Sequence, residues 1–297
     1  VQTAMPQGHT RLGSTLVTGP ATGPQAPSLA GPIGPLGRIG TLEVRLARNE
    51  AEIEAAQEIR YRIFYDELGA RSSLDQIDRR DSDRFDPLCD HLLVLDNSLT
   101  GPEHRRIVGT YRLLRQEMAT AAGGFYSEDE FELRRLVARH PDLRFLELGR
   151  SCVLPQYRSK RTIEALWQGI WAYLNHYGID VMVGCASFPG IDPAAHAEAL
   201  TYMAHHCRTS ADWDVRAVGR RYHPMAMMPV EEVNPKAAIT AMPPLVKGYL
   251  RIGARIGDGC VIDRDFSTVD VFIVMPVKEI AARYISYYGG DGQSYAA

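Results

Sequence analysis

The stretch FLELGRSCVLPQYRSKRTIEALWQGIWAYL, residues 145–174, decides the fold. Its first part, from about Arg144 to Leu154, is largely apolar and reads as a strand ended by Pro155. A short polar and basic loop follows. Apolar residues then recur at positions 163, 166, 167, 170, 171 and 174, the spacing of an amphipathic helix over 162–177 that Gly178 closes. Glu147 lies inside the strand, flanked by Phe145, Leu146 and Leu148. A carboxylate there is costly unless it is paired or faces a cleft, and burial raises its pKa toward the range of a useful general base. Strict alternation puts Glu147 and Arg150 on opposite faces. A bulge at Gly149 would bring both to one side and open the sheet. The residues alone leave two readings of Glu147, a structural ion pair and a poised base. The start of the helix is crowded by Arg158, Lys160 and Arg161, with the hydroxyls of Ser159 and Thr162. Cations are misplaced at the positive end of a helix unless an anion such as phosphate joins them, the alternative being a solvated basic loop.

Outward from this unit, the chain before it reads as strand, helix, strand, strand. Leu42, Val44 and Leu46 alternate with polar residues; residues 50–68 form a helix with Ile53, Ala56, Ile63 and Phe64 on one stripe and Gly69 as its stop; His91–Asp96 and Ile107–Arg115 are strand-like. After it come a strand (181–188), a helix (about 193–207), a Met/Pro-rich segment (224–244), an amphipathic basic segment (244–256), a strand (269–277) and a closing helix (278–288). This order predicts an α/β protein, with a mixed sheet and helices on both faces. Residues 1–40 hold eight Gly and six Pro and no acidic residue, which predicts a disordered tail without a signal peptide's apolar region. One folded domain is expected over 41–290, with an extension from about 210 and a short tail at 291–297.

Composition narrows the classes. Lys+Arg 33 against Asp+Glu 36 gives a net charge of -3, without the basic excess of nucleic-acid binders. No apolar run approaches the roughly 18–20 residues of a membrane span. Five scattered cysteines, never spaced as C-x-x-C, argue against a disulfide framework or zinc knuckle and predict a cytoplasmic location. His205-His206-Cys207 ends a helix without partners at zinc spacing, and the Asp81–Asp86 run lacks the ligand order of a calcium loop, so no metal is expected. Arg60 sits on the apolar stripe of its helix and needs a carboxylate; Asp83 and Asp86 are the candidates.

LELGRSCVLPQYRSKR resembles the fourth strand and phosphate loop of the Gcn5-related N-acyltransferase (GNAT) superfamily, with Ser159 and Arg161 where its loop usually carries glycines. That departure is similar to branches that take acyl groups from acyl carrier protein. The acyl-homoserine-lactone synthases carry R-x-x-x-F, D-x-x-D, G-x-x-R and E-x-x-R, matched in order by Arg60 with Phe64, Asp83 with Asp86, Gly109 with Arg112, and Glu147 with Arg150; Ala70 stands where they have an aromatic residue. The longer blocks RYRIFYDELGA, DRFDPLCDHLLVLD, IVGTYRLLR and PPLVKGYLRIGARIGDGCVIDRDFSTVDVFIV look like the bacterial L-ornithine Nα-acyltransferases of ornithine-lipid synthesis.

That resemblance implies a GNAT-like, mostly antiparallel sheet splayed at the strand of Glu147. It also implies transfer of a 3-hydroxyacyl chain from acyl carrier protein to the α-amine of ornithine, with no cofactor beyond the carrier's phosphopantetheine. Acceptance of another amino acid, lactone synthesis and a non-catalytic lipid-binding module are the alternatives. Under it, Glu147 is the base and backbone N–H groups of Ser151, Cys152 and Val153 hold the oxyanion. Arg158, Ser159, Lys160, Arg161 and Thr162 take the carrier phosphate, while Arg60, Phe64, Asp83, Asp86 and Arg112 tie a loop over the cleft. Arg150 either joins that network or, like Arg112, binds the amino-acid carboxylate. A covalent intermediate on Cys152 or Ser151 is disfavoured, since no nucleophile elbow surrounds them. Lys247, Arg251 and Arg255, at four-residue spacing, predict one cationic face for anionic lipid or an acidic carrier, or else a core-facing helix.

Overall fold

The computed structural model describes residues 34–71 and 78–280. Eight strands form one sheet: β1 (Gly37–Ile39), β2 (Leu42–Leu46), β3 (Asp90–Asp96), β4 (Ile107–Arg115), β5 (Phe145–Val153), β6 (Val181–Pro189), β7 (Arg255–Asp263) and β8 (Thr268–Pro276). Their spatial order is β1-β2-β3-β4-β5-β6-β8-β7. Every neighbouring pair is antiparallel except β5 and β6. The helices are α1 (Glu50–Tyr61), α2 (Gln116–Ala121), α3 (Leu133–Arg139), α4 (Lys160–Tyr177), α5 (Ala197–His206), α6 (Pro235–Ala241) and α7 (Pro244–Ile252).

The expected mixed, mostly antiparallel sheet is the observed one. Gly37–Ile39, placed by the sequence reading in the tail, form an edge strand on β2. The remaining tail residues, 1–33 and 281–297, and most of the closing helix expected over 278–288 lie outside the described residues. The basic segment 244–256 is two elements: α7 ends at Ile252, Gly253 turns the chain at φ 113°, and Arg255 opens β7. The expected cationic face therefore loses Arg255 and keeps Lys247 and Arg251. Its opposite side, with Val246, Tyr249 and Ile252, is buried, so α7 is a core-facing helix.

Successive strand residues face opposite sides, and β2 uses this to place the two main helices. Arg45 reaches α1, where its guanidinium is paired with the Glu52 carboxylate at 2.6 and 2.8 Å, both groups buried. Val44, next to it, packs onto Gly169 of α4, where any Cβ would collide. Thus α1 and α4 cover opposite faces. Asn49 caps α1 by accepting from Glu52 N–H, and Ser159 caps α4 the same way from Thr162 N–H. The helix expected over 50–68 changes winding after Tyr61: residues Arg62–Glu67 form a π-helical turn, closed by Leu68 N–H on the Ile63 carbonyl. Ile163, counted on the apolar stripe of α4, is half exposed, at 51%.

The sheet opens in its middle. β5 and β6 pair only through Phe145, Leu146 and Glu147, opposite Val181, Met182 and Val183. Beyond Glu147 they part, and Gly184, at φ 156°, takes the Leu148 carbonyl where a side chain would sit. On the other flank, β5 carries two residues, Arg150 and Ser151, opposite the single Tyr111 of β4. The bulge thus falls one position after the expected Gly149, and Arg150 adopts φ 50° to make it.

Candidate active site

Register places Glu147 and its neighbours on one face. Arg45 pairs with Leu93, His91 with Arg112, and Leu114 with Glu147, so Arg112 and Glu147 share the face covered by α1. The link between β4 and β5 covers the same face and delivers the partners of Glu147. Tyr126 N–H donates to Oε2 at 2.8 Å and Ser127 N–H to Oε1 at 2.9 Å. Glu147 therefore does not form the ion pair that one sequence reading anticipated; it is held by two backbone donors at the start of the 3-10 turn Tyr126–Asp129. Burial pushes its carboxyl above the ordinary range, and the Ser127 and Tyr126 donors, with Arg112 further off, offset only part of this.

Tyr126 also organises Arg150. The Arg150 guanidinium stacks on the Tyr126 ring at 4.7 Å and on the Phe266 ring at 4.3 Å, and Nη2 donates to the Tyr126 hydroxyl at 3.2 Å. The bulge has brought Glu147 and Arg150 around one tyrosine.

Arginines and aspartates interlock beside them. Arg60, fully buried, has Nε 2.9 Å from Asp81 Oδ2 and Nη2 2.7 Å from Asp86 Oδ1. Arg112 Nη1 donates to Asp83 Oδ1 at 2.8 Å and to Asp86 Oδ2 at 3.2 Å. Arg150 lies 3.2 Å from Asp81 Oδ2 and 3.3 Å from Asp83 Oδ2. Three cations and three anions balance. Burial alone would raise Asp86, but Arg60 and then Arg112 overcome it and hold the carboxyl down to about 2. The expected partner of Arg60 is thus half corrected: Asp86 is one, Asp81 is the other, and Asp83 serves Arg112 and Arg150 instead. Asp81 escaped the sequence reading, although its place two residues before Asp83 in an acidic run was the available signal.

A cleft of about 240 Å³ opens over these groups. Tyr126, Glu147, Arg150 and Ser151 line one part, Phe64, Leu68 and Phe266 an apolar part, and Cys185, Asp263 and Asp270 a third. Within it the Tyr111 and Tyr249 hydroxyls bond to each other, both phenols raised by burial and so neutral.

Ser151 lines the cleft, whereas Cys152 and Val153 do not. Leu154 N–H bonds the Val108 carbonyl, and antiparallel alternation then pairs Cys152 with Thr110 and turns the Val153 N–H away from β4, toward the splay. Of the three expected oxyanion donors, Cys152 is thereby assigned to the sheet ladder and Val153 is left facing the opening. Burial pushes the Cys152 thiol up to about 12, which leaves it protonated and a poor nucleophile.

The basic loop stands apart: none of Arg158, Ser159, Lys160, Arg161 and Thr162 lines the cleft. Arg158 grips Glu67 of the π turn with two bonds of 2.6 and 2.7 Å and reaches the Val153 carbonyl at 3.0 Å. Ser159 caps α4, and the Thr162 hydroxyl donates to the Tyr157 carbonyl at 2.6 Å. Lys160 lies 3.4 Å from Glu164, and Arg161 is exposed. Ser159 O takes Ile163 N–H, so helix accounting leaves the Lys160 and Arg161 N–H groups for a ligand.

Comparison with known proteins bears on this arrangement. Residues 59–168 match the model of the acetyltransferase (GNAT) domain. An L-ornithine N(alpha)-acyltransferase of Brucella abortus is 59% identical over 261 residues, covering 88% of this chain and 93% of the relative. One from Agrobacterium fabrum is 57% identical, covering 88% and 89%. The chain belongs to the L-ornithine N(alpha)-acyltransferase family. It is an N-acyltransferase. Among solved structures, FeeM, an N-acyl amino acid synthase from uncultured soil microbes, aligns with a TM-score of 0.45 at 12% identity, covering 80% of this chain and 92% of that one. No helix of the described residues is long and apolar enough to cross a membrane.

Tyr126 and Ser127, the direct partners of Glu147, left no readable trace in the sequence, because they act through backbone N–H groups some twenty positions away. Asp270 did leave one. It is a carboxylate inside the apolar strand VDVFIV, the same anomaly that singled out Glu147.

Proposed function

We propose that this N-acyltransferase moves a 3-hydroxyacyl chain from acyl carrier protein to the α-amine of L-ornithine, giving lyso-ornithine lipid. The names of its relatives support the acceptor, and the buried Glu147 at the edge of the splay carries the chemistry. The ammonium of the acceptor gives a proton to Glu147, directly or through water, and the freed amine attacks the thioester carbonyl carbon. The developing oxyanion meets the Val153 N–H, which points away from β4 into the splay beside the cleft. As the C–S bond breaks, a proton from the former amine, relayed through the neutral Tyr111–Tyr249 hydroxyl pair, ends on the departing thiolate. The proton on Glu147 returns to solvent, so amide, thiol and one proton balance the reaction.

Arg150 is the better partner for the amino-acid carboxylate, because its side chain is 12% exposed in the cleft against 4% for Arg112. The acyl chain lies along Phe64, Leu68 and Leu245, the last two being exposed apolar side chains on the cleft wall. The carrier phosphate sits at the start of α4, on the Lys160 and Arg161 N–H groups and the Arg161 side chain, with Arg158 bridging to Glu67. The enzyme works from the cytoplasm, with its single-chain lipid product leaving at the membrane surface, where Lys247 and Arg251 face anionic headgroups.

The deciding experiment is mass spectrometry of the purified protein with a panel of acyl-carrier and coenzyme A thioesters and free amino acids. Selective formation of 3-hydroxyacyl-ornithine from the carrier-bound donor is the expected result. Preference for coenzyme A donors, or for an amino acid without a side-chain amine, overturns it.

A further inference from the structure

The row of polar groups on the Glu147 face continues across the opened sheet. Glu147 pairs with Val183, Cys185 follows two residues along β6, Cys185 pairs with Phe272, and Asp270 lies two residues before that on β8. All point to the same side. Glu130, from the β4–β5 link, completes a cluster in which one ligand atom each of Glu130, Cys185 and Asp270 lies within 4.8 Å of the others. Asp270 is only 5% exposed and its Oδ1 has no hydrogen-bond partner, yet the residue lines the cleft. A buried carboxylate oxygen without a donor is costly, and it calls for a cation when the site is filled.

The charges favour a monovalent one. Arg221 already pairs with Glu130 at 2.8 Å, which leaves Asp270 as the carboxylate of this cluster without an arginine; Asp263, also on the cleft wall, accepts the N–H groups of Asp265 and Phe266 through Oδ1. Arg150 is the cation across the cleft, and it is engaged by Asp81 and Asp83. Within the cluster a divalent metal would meet one carboxylate free of arginine, Asp270, and a thiol that already donates to Glu130 at 3.5 Å. An alkylammonium needs only what is there.

We propose that Asp270, backed by Glu130, is the specificity site for the distal ammonium of a dibasic amino acid, so that the acceptor spans the cleft with its α-amine at Glu147 and its side-chain amine at Asp270. This deepens the acyl-transfer reading and rests on it. Burial pushes Asp270 up to about 6, opposed first by the Ser187 hydroxyl, and pushes Glu130 up to about 8 with Asp270 adding to the rise. The arriving ammonium opposes that rise and favours the ionised form of Asp270.

The test is kcat/KM for L-ornithine, L-lysine, L-2,4-diaminobutyrate and L-norvaline with one acyl-carrier donor, read as product mass on the full chain. Norvaline has the ornithine carbon skeleton without the distal amine. The wild type is expected to prefer ornithine to norvaline by about 100-fold or more, since a site built for a polar group rejects the analogue lacking it. Asp270→Asn is expected to bring that ratio within about tenfold through the ornithine KM, and Glu130→Gln, a second variant should the first not fold, to lower it in the same direction. Treatment with a chelator leaves the ratio unchanged. The proposal fails if wild-type enzyme uses norvaline within about threefold of ornithine, if neither variant alters the ratio, or if chelation abolishes the preference. Absence of any acylated amino acid instead defeats the acyl-transfer reading and this inference with it, and is told apart because the norvaline product is then missing too.

Discussion

Tyr126 N–H donates to the Glu147 carboxylate at 2.8 Å while the Tyr126 ring carries the Arg150 guanidinium at 4.7 Å, so one residue positions both cleft groups without letting them pair. An Arg150–Glu147 bond would hold the carboxylate ionised and weakly basic. Two neutral N–H donors orient it and leave burial to raise its proton affinity. If Glu147 is the base proposed above, activity is lost as pH falls through its raised pKa, because a base acts only when deprotonated. The kcat/KM profile should therefore have an acidic limb whose midpoint lies above the ordinary carboxylate range, measured with acyl-carrier donor and ornithine. A limb at or below about 4.3, the ordinary glutamate value, removes burial as the tuning device.

Arg60 holds two buried aspartates at once, and its own side chain is 1% exposed. Arg60→Ala leaves Asp81 with Arg150 alone and Asp86 with Arg112 alone, so the buried network carries one excess negative charge, a change expected to cost up to about 3–5 kcal/mol of unfolding free energy in urea at neutral pH. The sign of its pH dependence is fixed by Asp86. In the wild type the depressed carboxyl contributes stability above its unfolded value near 3.8, lost as pH falls toward about 2. Without Arg60 that contribution shrinks, so the gap between variant and wild type should narrow in acid.

Arg158 has two roles open to it, and Glu67 separates them. Their bidentate pair joins the π turn to the start of α4. If Arg158 meets the carrier phosphate, Arg158→Ala combined with Arg161→Ala raises the KM for acyl carrier protein, whereas Glu67→Gln leaves it within about twofold, as expected of an exposed pair. Equal effects of the two changes would reduce Arg158 to a structural tie.

The acidic cluster around Asp270 predicts an unusual stability profile for the substrate-free protein. Asp270 near 6 and Glu130 near 8 both sit above their unfolded values of 3.8 and 4.5. The native state thus binds more protons than the unfolded one, so the stability they contribute is present below those unfolded values and lost as pH rises through 6 and then 8. Each group held out of step contributes a slope of at most about 1.4 kcal/mol per pH unit. Thermal melting temperature should fall between pH 5 and 8 and respond less to pH in Asp270→Asn. A rising Tm over that window contradicts the burial of both carboxyls.

Much of this molecule was legible because its central elements carry strong period. β2, β3, β4, β5, α4 and β6 follow alternation or helical spacing closely enough to be read within a few residues. β7 was not, since Gly257, Asp258 and Gly259 interrupt its alternation at a register shift between Ile256 and Cys260. β1 has three residues set among Gly and Pro, too few for any period. At the site, Arg60 and Glu147 stand out as charges on apolar faces, and Asp86 as a carboxylate of the acidic loop that Arg60 requires. Asp270 carries the same mark, a charge inside the apolar strand VDVFIV. The backbone donors to Glu147 could not be read, because any residue supplies an N–H and only the tertiary path of the β4–β5 link selects Tyr126 and Ser127.

In the proposed mechanism Glu147 accepts the proton of the acceptor amine. The most direct measurement is the turnover rate of acyl-ornithine formation by Glu147→Gln, which keeps the side-chain shape and one acceptor for the Tyr126 and Ser127 donors. A fall in kcat of about 10²-fold or more, with KM for the acyl carrier little changed, is the predicted result. A kcat within about threefold of wild type would contradict it and return Glu147 to the role of a cap on the Tyr126–Asp129 turn.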